Sequence, residues 1–271
     1  MGRPRTIKLN ENYFEKIDSP NKAYILGFLY ADGSLHRTTI SISLAIKDIE
    51  IIKFIMKELE FGGEFKIFKV NELDYVRLSI TSKKLFNDLE KLGVIKNKTY
   101  ESKSLPEIPN EYLPDMIRGF FDGDGSISSN KPNNRAEEFC ITFSSNVDVL
   151  EQVKNILLEK NISSCKIRLR RKDSKFSGML EIKGSRNIEK FYNFIYNANS
   201  FHLLRKYKRF LDFFDVISKL KKRKQTEEDV NKILELYLSG FKQKEIHLKL
   251  SIPFSTVRGT VQRLRKKEKI I

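Results

Sequence analysis

The sequence predicts an α+β protein made of two tandem, pseudo-symmetric α-β-β-α-β-β-α units followed by a small all-α domain. Three observations predict it. A ten-residue block occurs twice, I-L-G-F-L-Y-A-D-G-S at 25–34 and I-R-G-F-F-D-G-D-G-S at 117–126, with six identical positions. The same succession of apolar patterns follows each copy, the mark of an internal repeat. From residue 226 onward the alternation typical of strands is gone and only helical spacing remains.

The elements follow in order. Each block reads as a helix. A strand-like stretch comes next at 39–46 and 139–144, then a helical pattern at 48–59 and 147–159. Two strand-like runs follow, 64–70 with 75–81 and 165–171 with 179–183. A short helix is expected at 83–92 and 186–196, and each unit closes on a basic element at 96–99 and 203–209. The offset between copies grows from 92 (Asp32 to Asp124) through 102 (Ile80 to Ile182) to 108 (Lys98 to Lys206). Insertions in turns explain that drift, and the Asn/Pro/Ser-rich stretch 128–135 reads as a longer hairpin tip. Such units place helices on one face of an antiparallel sheet. Pro106 and Pro109 punctuate the junction between copies. In the tail, Thr226-Glu-Glu-Asp resembles a capped helix start, and Ser239-Gly240 a helix end. Helices are expected at 228–238, 242–249 and 255–267. The chain thus divides into a basic arm (1–19), a first repeat (20–105), a second repeat (106–218), a basic linker (219–225) and the helical tail (226–271).

Composition narrows the function. Lys and Arg number 51 against 35 Asp and Glu, a net charge of +16. The density is highest in 216–271, with 15 basic against 6 acidic residues. A polyanion, nucleic acid above all, is the partner this implies. With 40% hydrophobic residues the chain can bury a core, which excludes wholesale disorder. No apolar run is long enough to span a bilayer, and no secretory signal is expected. Two cysteines, Cys140 and Cys165, and three scattered histidines argue against a disulfide framework or a zinc centre. A reducing, intracellular compartment fits: cytoplasm, nucleoid or organelle.

The repeated block carries the chemistry. Gly27 and Ala31 are spaced i, i+4, as are Gly119 and Gly123. Small residues at that spacing let two helix backbones approach closely, and a helix-interior glycine costs about 1 kcal/mol, so retaining it twice points to packing. If the two helices lie side by side, Asp32 and Asp124 converge at their C-terminal ends. Carboxylates there face the negative end of the helix dipole and each other. Such an arrangement calls for a divalent cation with oxygen ligands, Mg²⁺ first, aided by unsatisfied carbonyls.

On these residues the chain resembles the two-repeat LAGLIDADG homing endonucleases, over about residues 20–215. The resemblance implies a monomer with pseudo-twofold symmetry, in which two sheets sit over the major groove of double-stranded DNA. It implies a metal-dependent endodeoxyribonuclease that hydrolyses both strands at a long specific target. Asp32 and Asp124 would ligate Mg²⁺ (or Mn²⁺), assisted by the carbonyls of Ala31 and Gly123. Lys98 and Lys206 match the family's active-site basic residues, and Lys47 with Ser145 a polar water-organising position. The halves differ: Tyr30 stands where the second block has Asp122, and Lys47 stands opposite Ser145. Two other readings stay open, an intron-RNA maturase and a non-cleaving DNA-binding regulator on the same scaffold; intron RNA is therefore a second candidate partner.

DNA-reading surfaces can be assigned by alternation. In a strand over 165–171, Lys166, Arg168 and Arg170 share one face while Ile167 and Leu169 are expected to point into the core. Ser41 and Ser43 alternate likewise with Ile40, Ile42 and Leu44 in the first copy. Arginine on such a face can read guanine in the major groove. The tail resembles a helix-turn-helix, with 255–265 as the recognition helix and Ser255, Thr256, Arg258, Gln262 and Arg263 as its contacts. Lys222 and Arg223, in the basic run 221–224, would lie on phosphates, and Gly2-Arg-Pro-Arg has the character of a minor-groove arm.

Overall fold

A computed structural model of the chain describes residues 7–94, 104–131, 137–163, 165–169, 177–222, 227–250, 252 and 254–267. The chain forms two compact units, Met1–Phe214 and Asp215–Ile271. The first half of the first unit contains α1 (Pro20–Asp32), β1 (Gly33–His36), β2 (Thr39–Ala45), α2 (Ile49–Glu58), β3 (Lys66–Val70), β4 (Leu73–Thr81) and α3 (Lys83–Lys91). The second half repeats this with α4 (Leu113–Asp124), β5 (Gly125–Asn130), β6 (Glu138–Asn146), α5 (Val147–Glu159), β7 (Cys165–Leu169), β8 (Ser177–Lys183) and α6 (Ser185–Ile195). Helix α7 (Leu204–Lys222) starts in the first unit and ends in the second.

Each half holds one four-stranded antiparallel sheet, ordered β1-β2-β4-β3 and β5-β6-β8-β7. The expected α-β-β-α-β-β-α order is therefore present. The short strands β1 and β5 are the elements that apolar patterning did not place. Gly33 and Gly125 are extended and pass the chain from helix directly into strand. Alternation sets the faces: Ile40, Ile42, Leu44, Val76, Leu78 and Ile80 are buried on the helix side of the first sheet. On the second, Phe143, Leu180 and Ile182 do the same, and Phe143 packs with Phe120, Phe121 and Phe191.

The pairing of α1 with α4 organises this unit. Ser19 caps α1 through the Lys22 N–H and Pro20 opens it, so the start is well defined. A β-carbon on Gly27 would stand 2.0 Å from the Met116 carbonyl oxygen, and one on Gly119 would stand 1.9 Å from that of Tyr24. The two helices run parallel with backbones in contact, as the repeated small residues predict.

Two boundaries differ from the sequence reading. The arm expected at 1–19 is shorter, because Tyr13, Phe14 and Ile17 are buried and the Tyr13 hydroxyl donates to Glu58 at 2.9 Å. Tyr13, Phe14 and Ile17 therefore belong to the core of the first half. The linker expected from residue 219 is helical through Lys222, as the last turn of α7.

The second unit also holds α8 (Glu227–Leu238), α9 (Gln243–Leu250) and α10 (Phe254–Lys267) around Ile233, Ile246, Val257 and Val261. Gly240, at φ 88°, ends α8, where the Phe241 N–H returns to the Leu236 carbonyl at 3.1 Å. Among the described residues no helix is long and apolar enough to cross a membrane.

A pair of Gly→Ala variants tests the helix contact. Gly119→Ala forces backbone against backbone and is expected to cost about 3 kcal/mol or more in urea unfolding of the first unit. Gly259→Ala, in α10 with nothing within 4 Å of the added carbon, is expected to leave that transition unchanged and to stabilise the second unit by up to about 1 kcal/mol.

Candidate active site

Because α1 and α4 run parallel, their C-terminal ends lie together. A β-carbon on Gly123 would stand 2.3 Å from the Ala31 β-carbon and 3.4 Å from Asp32 Oδ2. Asp32 of one half thus lies against the residue that precedes Asp124 in the other. Asp32 is exposed and Asp124 half-buried, so the two carboxylates mark the solvent end of the helix pair.

Beneath them is a buried polar network. Lys206, only 4% exposed, donates to the carbonyls of Phe121 (2.7 Å), Asp122 (2.7 Å) and Gly123 (3.2 Å). These carbonyls belong to the last turn of α4, where helical donors run out (that of Phe121 also accepts from the Gly125 N–H), and the cation sits at the negative end of the dipole. Burial pulls the Lys206 pKa down to about 8, against the opposing pull of the Asp122, Asp32 and Asp124 charges. Asp122 is 2% exposed; its Oδ2 accepts from the Tyr24 hydroxyl and the Leu203 N–H, both at 2.8 Å. Its Oδ1 and the Tyr196 hydroxyl are buried with no hydrogen-bond partner among the described residues. Burial raises the Asp122 pKa, and the Leu203 N–H, Lys206, Tyr24 and Arg118 oppose that rise. Arg118, 1% exposed, donates to Asp115 (2.6 Å) and to the carbonyls of Ile195 (2.7 Å) and Phe201 (2.9 Å).

The first turn of α7 ties the halves together here. Leu203 and Lys206 hold α4, while Arg205 reaches the first half and clasps Asp48 at 2.9–3.2 Å with both oxygens engaged. Tyr30, the counterpart of Asp122, donates instead to the Ser104 carbonyl at 2.9 Å.

Of the expected basic site residues, Lys206 sits in this network. Lys206 is near both acids but interior, so its N–H donors are spent on carbonyls rather than facing solvent. Lys47 is exposed, one residue before Asp48. Ser145 pairs in register with Gly178 and is half-buried. Lys98, Arg170 and Arg223 lie outside the described residues, as do the side chains of Lys222 and Ser255. Sequence reasoning missed the network that Asp122, Arg118, Tyr24, Arg205 and Asp48 build. Its one signal was an unlikely buried charge inside an apolar helix, Arg118 and Asp122 standing among Ile117, Phe120 and Phe121.

The sheet faces opposite the core are polar. In the first, Ser41 pairs with Ser79, and Arg77 donates to the Ser43 hydroxyl at 2.8 Å. In the second, Lys166 lies opposite Glu181, and Arg168 opposite Met179; Arg168 and Lys183 both reach Glu181, at 3.0 and 3.1 Å. Arg77, Ser79 and Lys183 were also missed, though they obey the same alternation; Leu169, expected in the core, is 50% exposed because β7 is the edge strand of its sheet. On α10, Arg258, Gln262 and Arg263 are exposed and Thr256 is half-buried, away from Val257 and Val261 in the core.

Residues 111–196, from the start of α4 to the end of α6, match the LAGLIDADG-like domain. No curated protein matches the chain by sequence. Among solved structures it is similar to the LAGLIDADG homing endonuclease I-GzeII in complex with its DNA target, at 15% identity and TM-score 0.52, over 80% of this chain and 96% of that one. It is similar to I-SmaMI bound to uncleaved DNA target in the presence of calcium ions, at 15% identity and TM-score 0.51, over 80% and 97%. The meganuclease I-CpaMI bound to uncleaved DNA matches at 16% identity and TM-score 0.50, over 83% and 99%. The chain therefore has the two-sheet LAGLIDADG homing-endonuclease fold.

Lys206 sets a measurable pH dependence. Its folded pKa, about 8, lies below its ordinary 10.5. Between those values the folded protein has released a proton that the unfolded chain still binds, so stability rises with pH. In metal-free protein, the unfolding free energy of wild type minus that of Lys206→Met is expected to grow by about 3 kcal/mol from pH 7 to pH 11. Urea titrations at several pH values read it directly; a flat difference contradicts the buried, depressed lysine.

Proposed function

We propose that the first unit is a site-specific endonuclease for double-stranded DNA, with Asp32 and Asp124 as its metal-ligating acids. The observation that carries this reading is the glycine-mediated pairing of α1 and α4, which sets the Asp32 carboxylate against the end of α4. Both motif helices come from one chain, so a monomer suffices.

The residues present fit a divalent cation. The charges of Asp32, Asp122 and Asp124 all act on Lys206, so carboxylates gather at the end of the helix pair. Among the described residues no group of three or more His, Cys, Asp or Glu gathers to enclose a metal. Two carboxylates, with the carbonyls of Ala31 and Gly123 beside them, suit a hard cation shared with substrate phosphate, as Mg²⁺ is commonly held. Calcium accompanies uncleaved DNA in the I-SmaMI structure, which fits an oxygen-ligated cation here. The chemistry that such a cation supplies is Lewis-acid activation of the scissile phosphate and of the attacking water.

The chain's own residues do the positioning. Lys206 neutralises the end of α4 and holds the backbone that carries Asp124; it is a positioning residue. Asp122 and Tyr24 fix that lysine and the start of α7. Lys98 is the basic residue assigned to the developing phosphate charge, and Lys47 with Ser145 the polar position that organises water. The polar faces, with Ser41, Ser43, Arg77, Lys166, Arg168 and Arg170, lie in the major groove. Solved structures of this fold carry DNA, which supports that assignment. The tail acts as a helix-turn-helix through Ser255, Thr256, Arg258, Gln262 and Arg263, and Lys222 with Arg223 adds phosphate contacts.

Two measurements test the reading. With Mg²⁺ and a duplex carrying the target, Asp32→Asn and Asp124→Asn are each expected to lower double-strand cutting roughly a thousandfold, since several kcal/mol of charge stabilisation are lost. EDTA is expected to abolish it. Tight binding without metal-dependent cutting in wild type sinks the nuclease and leaves the regulator or the RNA maturase, which RNA binding separates. Removing residues 223–271 is expected to weaken affinity and flatten its salt dependence by several phosphate contacts while cutting persists at saturating protein. Loss of all cutting in a truncated protein that still folds contradicts this division of labour.

A further inference from the structure

The β3–β4 hairpin carries apolar side chains on the wrong face for a core. Val70 and Leu73 pair across the turn and are 46% and 62% exposed. Register places them on the same side as Phe68, Tyr75 and Arg77, opposite the buried Val76 and Leu78. They contribute nothing to the interior, and an exposed apolar cluster on an edge strand favours aggregation.

The cluster is pre-organised. The Phe68 and Tyr75 rings stack at 5.9 Å. The Arg77 guanidinium lies 4.8 Å from the Phe68 ring centroid while donating to Ser43 at 2.8 Å. The turn residues Asn71 and Glu72 both have positive φ, 46° and 66°, the tight two-residue form that holds a hairpin in register. The matching strands of the second sheet have no such patch among the described residues: Lys166 faces Glu181, and Arg168 faces Met179.

We propose that this hairpin reads thymine, through contact of Val70 and Leu73 with the thymine methyl group in the major groove. The inference rests on the endonuclease reading above and deepens it. Three features select the occupant. The patch is continuous with the polar face assigned to DNA. Arg77 and Lys66, paired across the strands beside it, supply charge complementary to phosphate and to guanine. The thymine methyl is the one apolar group that a base pair presents in that groove. The patch lies five residues along β4 from Leu78, whose partner Ile42 pairs with Gly33, next to Asp32. At about 3.4 Å per residue this is about 17 Å, the length of about five base pairs. The preference for thymine therefore falls on one side of the cut only, away from the central base pairs.

The test uses the full chain in EDTA with a randomised duplex pool, followed by sequencing of the bound fraction. Thymines enriched in one flank are then replaced by deoxyuridine, which lacks only the methyl. The expected cost is about fourfold in affinity per methyl removed. Val70→Ser/Leu73→Ser, at exposed positions and checked for an unchanged melting temperature, is expected to bind thymine and uracil duplexes equally. An enriched site without thymine in that flank, or uracil replacement without cost, overturns the inference while leaving the DNA-binding reading intact. So does a double variant that keeps thymine discrimination but loses self-association in sedimentation, since the patch is then a contact between copies. A pool with no enriched sequence sinks the site-specific reading itself, and this inference with it.

Discussion

Two helix backbones touch at Gly27 and Gly119, and almost everything else in the first unit follows from that contact. A carbonyl oxygen of the opposite helix occupies the place where each β-carbon would sit. The contact leaves no freedom in spacing or in register, so the ends of α1 and α4 must coincide. Each glycine costs about 1 kcal/mol of helix propensity relative to alanine. Close packing of the surrounding side chains, Phe28, Phe120 and Phe121 among them, offsets that cost. The repeated block is therefore a packing motif first. Its terminal aspartates inherit their position from glycines five residues earlier.

A second constraint comes from the charge gathered beneath those ends. Arg118, Asp122 and Lys206 are taken out of water, which is expensive unless each finds partners. Arg118 is satisfied by a carboxylate and two carbonyls, and Lys206 by three carbonyls. Asp122 is satisfied on one oxygen only. The partners come from α1, α4, the end of α6 and the segment that leads into α7, so the network forms only when all of them are assembled. That makes it a specificity device for the native arrangement as much as a source of stability. It also makes the halves unequal, because Tyr30 and its bond to the Ser104 carbonyl replace this cluster on the first side.

What could be read from the sequence tracks the length scale of each signal. The repeat, the strand alternation and the helical spacing are local, and they located nearly every element; helix 147–159 coincides with α5 to the residue. The glycine spacing gave the helix pairing, because a helix tolerates the same loss of propensity at two matched places only where its backbone must be approached. The buried network was not legible. Tyr24, Asp122 and Lys206 are about 80–180 residues apart in the chain, and nothing at that range marks a lysine as interior. The resemblance implies an active-site basic residue at Lys206, not an interior one, and lysine is rarely buried. The arm boundary failed for a related reason: Tyr13, Phe14 and Ile17 have no helical or strand period, yet they cover the first half's core. The short strands β1 and β5 escaped because a helix ending in Asp-Gly reads as a turn, whereas these glycines are extended and continue into sheet.

The unequal halves bear on the kind of DNA such a scaffold can recognise. A dimer of identical subunits presents two copies of one surface and fits a palindrome. Here the backbone is repeated but the faces are not. The first carries hydroxyls, one arginine and an apolar hairpin; the second carries lysine and arginine braced by Glu181. Symmetry is retained where geometry demands it, at the helix pair and its two acids. It is abandoned where side chains face outward and no packing constraint holds them. On the proposed reading, a duplicated fold thereby keeps one two-strand cleavage centre while each sheet reads its own sequence, so the target need not be symmetric.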